Sequence, residues 1–115
     1  MQTLTIKHPF TSTNKIYAGM HWAQRKRIVD EWHELIWLEC KAQKIQPIKK
    51  YPVFFEYEFE VKNIKDADNT HFTLKMITDG LRYAEIIDDD TLDYFNEYHF
   101  KAKKGKEDKV TIYIH

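Results

Sequence analysis

From Val53 to Val61 apolar and polar side chains alternate. Val53, Phe55, Tyr57, Phe59 and Val61 fall on one side, and Phe54, Glu56, Glu58 and Glu60 on the other. A period of two marks a strand with one buried face. Upstream, Ile28, Val29, Trp32, Leu35, Ile36 and Cys40 recur at intervals of mostly three and four. The stretch from Met20 to Gln43 holds neither Gly nor Pro, so one long helix is predicted there. Leu4 and Ile6 predict a short strand over residues 3–8, stopped by Pro9. Phe72, Met76, Ile77 and Leu81 line one face of a second helix over residues 71–84. The polar runs 10–15 and 63–69 read as loops. A strand over 94–101, a Lys/Gly turn at 103–106 and a closing strand over 110–115 predict a C-terminal hairpin. The sum is an α+β domain: a small mixed sheet of about four strands, with two helices on one face.

Composition bounds this picture. A chain of 115 residues and 13.9 kDa forms one domain, 1–115, and 43% hydrophobic residues supply its core. Lys plus Arg equal Asp plus Glu at eighteen each, which excludes a polycation that coats nucleic acid by net charge alone. The balance is a cancellation: residues 1–50 carry a net charge of +5 and residues 51–115 a net of −5. The single cysteine, Cys40, has no partner for an internal disulfide, which fits a reducing compartment. No apolar run reaches the roughly 18–20 residues of a membrane span, and Lys7 and His8 interrupt a signal-peptide pattern. The expectation is a cytoplasmic protein with no membrane partner.

The candidate chemistry is acidic. Asp66-Ala67-Asp68-Asn69 is followed by Lys75 and Asp79, and then by Asp88-Asp89-Asp90. Carboxylates two apart in extended chain point the same way, and several converging without bases repel one another. A divalent cation relieves that repulsion. All-oxygen ligands suit Mg²⁺ or Mn²⁺, and such ions activate water and stabilise a leaving oxygen at phosphorus. Lys75 is placed to neutralise charge in the transition state. Taken singly, each acidic cluster reads more readily as a solvated surface, as do the bases Arg25, Lys26 and Arg27 early in the long helix. An EF-hand loop is excluded, because the sixth position from Asp66 is His71 and the twelfth Ile77. No Gly-rich phosphate loop and no Cys/His zinc spacing is present. Cys40, on the apolar face, reads as core.

In combination, Asn14-Lys15-Ile16-Tyr17, DADN at 66–69, KMITDGL at 75–81 and IIDDD at 86–90 resemble the RusA family of Holliday junction resolvases. The resemblance spans residues 9–90. It implies a small homodimeric, Mg²⁺-dependent endonuclease acting on branched DNA, of a kind common in phages and prophages. By that resemblance Asp66 and Asp68 are paired metal ligands, Asp90 is the third catalytic carboxylate with Asp89 beside it, and Lys75 is the functional lysine. Asn14 matches the asparagine of the N-terminal loop, and Asp79 a supporting helix aspartate. The family's lysine stands four residues after the second Asp; here the interval is seven, so residues 70–74 carry an insertion. The basic run before the acidic motif is reduced to Lys62 and Lys65. Phosphate contacts therefore draw on Asn14, Lys15, Arg25, Lys26 and Arg27, with Lys101, Lys103 and Lys104 as further candidates. Tyr17 and Trp22 are expected in the core, with stacking at an unpaired branch as the alternative. Two other readings stay open at this stage: a non-catalytic dimeric DNA-binding protein of the same fold, and a metal-dependent phosphohydrolase for small substrates.

Overall fold

Strand β2 (Val53–Val61) is the centre of the architecture, and its burial alternates as its sequence does. Val53, Phe55, Tyr57, Phe59 and Val61 are all buried. The computed structural model describes residues 1–64, 67–89, 91 and 93–115, with the side chains of Ala67, Asp68 and Asn96 left aside. Around β2 the chain forms β1 (Gln2–Lys7), α1 (Thr13–Tyr17), α2 (Trp22–Ala42), a 3₁₀ turn (Ala67–Thr70), α3 (His71–Tyr83), β3 (Phe95–Lys104) and β4 (Lys109–Ile114). Sheet order is β1-β4-β2-β3, with β2 and β3 parallel and the other two pairs antiparallel. Among the described residues the fold is an α+β unit with a four-stranded mixed sheet and three α-helices. No described helix is long and apolar enough to cross a membrane.

Two expectations are corrected. The polar run at 10–15 is not all loop: α1 starts there, with the Ser12 hydroxyl accepting from the Lys15 amide at 3.2 Å. Five residues are too few to show helical periodicity, so only the cap was there to be read. The C-terminal strands are present but do not pair with each other. β2 lies between them: the backbone N–H and C=O groups along both edges of this buried strand are paired, by β3 on one side and by β4 on the other, and β4 in turn pairs with β1. The link from β3 to β4 passes over the end of β2, where Gly105 donates its N–H to the Val61 carbonyl at 2.9 Å. A side chain at Gly105 would overlap Glu60, at 2.2 Å from its Cγ.

Helices α2 and α3 pack together and cover the apolar face of the sheet, burying Trp32, Ile36, Ile77 and Leu81 between them. Burying each such side chain stabilises the fold by about 1.5–3 kcal/mol. Gly80 allows the close approach: a Cβ there would stand 3.0 Å from Ile36 Cγ1. The Tyr57 hydroxyl and Thr78 Oγ1 lie 2.6 Å apart, and Thr78 donates to the Leu74 carbonyl at 3.1 Å. Tyr57 is therefore the donor in that pair, which ties α3 to β2, and burial holds its ionisation far above the ordinary range.

Both long helices end the same way. Ile45 N–H reaches the Cys40 carbonyl and Lys44 N–H reaches Lys41, while Ile86 and Glu85 repeat the pattern onto Leu81 and Arg82. These are Schellman ends, with left-handed backbone at Lys44 (φ 58°) and Glu85 (φ 60°). The second one sets the path of the acidic segment that follows α3.

Candidate functional site

The start of α3 is held by α1 rather than by its own cap. Thr70, at the cap position, makes no side-chain capping bond. Instead Thr13 Oγ1 donates to the Asn69 carbonyl at 2.9 Å and accepts from the Phe72 amide at 3.1 Å. The Asn14 amide donates to Asn69 Oδ1 at 3.2 Å. Asn69, the last residue of DADN, thus joins the N-terminal strap, residues 10–15, to the turn Ala67–Thr70. Lys15 and Asn14 are exposed on the strap, facing water beside that turn.

A carboxylate fixes the other end of the strap. Asp108 Oδ2 accepts from the Phe10 amide at 2.9 Å, and Oδ1 from the Lys62 amide at 2.8 Å. Phe10 is further anchored between Trp32 (ring centroids 6.0 Å apart) and Phe59 (5.6 Å). A cleft of about 440 Å³ results, lined among others by Phe10, Asn14, Lys15, Asn63 and Asn69. Thr13, Asn69 and Asp108 position this cleft, and sequence reading had assigned none of them a role. Only Asn69 carried a signal, as part of the motif. Asp108 stands beside Glu107 after a Lys/Gly turn, and nothing in the sequence separates its role from that of its neighbour.

The expected metal and catalytic residues divide by what is described. Asp66, Asp90 and Lys65 lie outside the described residues. Asp68 is placed in the 3₁₀ turn by its backbone, with its side chain outside the description. Lys75 is exposed on the second turn of α3, with Nζ 3.8 Å from Asp79 Oδ2. That contact is long and solvated, so it contributes little and leaves the ammonium available. Asp88 is exposed, and its amide donates to the Tyr51 hydroxyl at 3.0 Å; Asp89 is partly buried. Among the described residues no three His, Cys, Asp or Glu side chains gather closely enough to hold a metal ion.

One separation is plain. The turn Ala67–Thr70 precedes α3 and Asp88 follows it. Thirteen helical residues rise about 20 Å. Asp88 does not fold back, because Tyr51 and the Ile48–Ile86 backbone bond keep it where β2 begins. The acidic turn, by contrast, follows the end of β2. Within the chain the two described segments therefore lie at opposite ends of the sheet.

The basic residues are unequal. Lys15, Arg27 and Lys62 are exposed. Lys26 pairs with Asp30 at 2.7 Å, one helical turn on, in full contact with water. Arg25 is used internally: Nη2 donates to the Ile16 carbonyl at 3.4 Å, and its guanidinium carbon lies 5.5 Å from the centre of the Tyr17 ring. Tyr17 and Trp22, expected in the core, are exposed. A larger groove of about 770 Å³ lies on the outer sheet face. There Glu58 stands opposite Lys101 and Thr111, and Glu60 opposite Lys103 and Lys109. Opposite charges on neighbouring strands support the sheet, and that face points away from α3. No model of a known protein family matches the chain, and no curated protein matches it either.

Proposed function

We propose that this protein is a Mg²⁺-dependent, structure-specific endodeoxyribonuclease that resolves four-way junctions or related branched DNA by paired nicks, in the manner of the RusA family. The observation that carries the reading is the bonding of the strap to Asn69. It makes one unit of the exposed Asn14 and Lys15, suited to phosphate, and the turn whose backbone carries Asp68. Asp66, Asp68 and Asp90, with Asp89 beside it, are the residues that would hold the metal. Their donor set is entirely carboxylate oxygen, which suits Mg²⁺ or Mn²⁺. When bound, the metal would supply an activated water and charge stabilisation at the leaving oxygen. The exposed Lys75 contributes positive charge on α3, the helix that follows the turn, and Lys15, Arg27 and Lys62 contribute backbone contacts that orient the strand.

A site that draws on both acidic segments takes one from each protomer of a homodimer, because one protomer keeps them apart. A two-fold dimer then carries two such sites, matching two symmetric nicks. The second reading is a dimeric branched-DNA-binding protein without cleavage activity. The distance between the acidic segments in one protomer favours it should the chain be monomeric on DNA. Incubation with a labelled synthetic four-way junction separates the two. Paired nicks in Mg²⁺ that vanish in EDTA support the nuclease. Junction binding that survives in EDTA, with no nicking at any Mg²⁺ or Mn²⁺ concentration, supports the binding protein. Binding that weakens steeply with salt distinguishes either from a hydrolase of small phosphate compounds.

A further inference from the structure

Two large rings next to the acidic turn are not used by the core. Tyr17, the last residue of α1, is 66% exposed, and Trp22, the first of α2, is 71% exposed. Single exposed aromatics need no explanation. These two are linked to each other and to the site. Trp22 and Arg25 are neighbours three apart on the first turn of α2. Arg25 in turn lies against the Tyr17 ring and is tied to the Ile16 carbonyl. Tyr17 meets Phe72 edge-on at 6.3 Å, and Phe72 is the second residue of α3, directly after the acidic turn. The His21 ring lies 5.6 Å from that of Trp22, and His21 Nδ1 accepts from the Ala23 amide, so the indole is held at its base. Both rings are thus fixed by their neighbours while most of their surface meets water.

The charge next to them along the chain is basic, with Asp30, the partner of Lys26, the first acid to follow. Lys15 lies two residues before Tyr17, and Arg25, Lys26 and Arg27 follow Trp22, with no acid between Met1 and Gln24. A helix N-terminus ordinarily disfavours bases, so their presence beside two exposed rings calls for an anionic partner with flat, apolar groups. Unpaired DNA has both: every base offers a π-face and every phosphate a charge. A neutral or basic protein surface would leave the bases of this patch without acids to meet, and carboxylates alone would leave the rings without a flat partner.

We infer that Tyr17 and Trp22 form a stacking platform for unpaired nucleobases, with Lys15, Lys26 and Arg27 along the backbone of the same strand. The inference rests on the nucleic-acid reading of the neighbouring cleft and adds what that reading lacks, a way to tell an open branch from continuous duplex. Base–aromatic stacking of this kind changes affinity about tenfold or more per ring.

The test uses Trp37→Phe protein. Trp32 is buried, so the solvent-sensitive tryptophan signal is then that of Trp22. Oligo-dT is titrated in EDTA at fixed salt. The platform predicts quenching of Trp22 on binding and, by anisotropy of end-labelled oligo-dT, an affinity about tenfold lower for Tyr17→Leu and for Trp22→Leu, with uninterrupted duplex bound equally by all forms to within about twofold. Unchanged oligo-dT affinity in both variants overturns it. So does a Trp22→Leu protein that changes oligomeric state at unchanged DNA affinity, which would assign the patch to a protein contact. The parent reading fails separately. Wild type that never nicks a junction yet is quenched by oligo-dT leaves the platform standing without the nuclease. Nicking that continues in variants with unchanged affinity for unpaired strand leaves the nuclease without the platform.

Discussion

Replacing Asp108 by Ala removes both acceptors that tie the strap to the sheet. The Phe10 amide is part-buried, and its bond to a charged acceptor is of the kind worth about 1.5–3 kcal/mol. The Lys62 amide is exposed, so water replaces much of its bond and the loss there is about 0.5 kcal/mol. The ring of Phe10 stays packed against Trp32 and Phe59, which limits how far the strap detaches. The expected destabilisation is about 2–3 kcal/mol, or about 8–12 °C in Tm for a domain of this size. Asp108→Asn keeps one acceptor oxygen and turns an amide group toward the other N–H, so it should fall between wild type and Ala. Thermal unfolding followed by circular dichroism measures the series. Junction affinity should fall as well, at temperatures where the variant is fully folded, because Asn14 and Lys15 ride on the strap. An Ala variant within about 1 °C of wild type, or an Asn variant less stable than Ala, refutes the assignment of Asp108 as the clamp.

Other outcomes follow from single features. Glu85 closes α3 in left-handed backbone, where Gly carries no side-chain strain, so Glu85→Gly should raise stability by about 0.5–1 kcal/mol in urea unfolding; a loss would mean the side chain has a role of its own. Burial pushes the Cys40 thiol up to about 11, against a thiolate-requiring reagent. Native protein should therefore resist iodoacetamide at pH 8 and react once unfolded, and rapid native labelling would contradict that packing. Burial also lowers the pKa of His33, against the opposing effect of Asp79 and Asp30. The unfolded chain then binds the proton more readily, so this contribution to stability is intact above pH ~6.5 and shrinks as pH falls through the depressed folded value. His33→Phe keeps a ring against Tyr83 and should flatten that acid-side slope; an unchanged slope assigns it to other groups.

How much of this could be read from the chain depends on the range of the forces involved. Alternation at Val53–Val61 gave β2 to the residue, because one buried face imposes period two along its whole length. The long helix was legible from its apolar stripe, and its end lies within one residue of Gln43, but the way it closes was not: a Schellman turn usually advertises itself with Gly, and here Lys44 takes the left-handed position. The hairpin signal at the C-terminus correctly reported two strands and a reversal. It carried no information on what lies between them, since pairing partners are chosen by the whole sheet. The acidic motif was visible as spacing, and the clamp of Thr13, Asn69 and Asp108 was not, because its hydrogen bonds join residues 46 to 98 positions apart. Tyr17 and Trp22 were misassigned to the core for a simple reason. Hydrophobicity predicts burial on average, and a ring kept in water for a ligand looks the same in sequence as one kept for packing.

The central claim is that the acids of the DADN motif hold a metal that cuts DNA. Single-turnover nicking of a four-way junction by Asp68→Asn in Mg²⁺, beside binding of the same junction in EDTA, addresses it directly. Removing a metal carboxylate should lower the nicking rate by about a hundredfold or more while junction affinity in EDTA is retained. Nicking at the wild-type rate by Asp68→Asn would contradict the account.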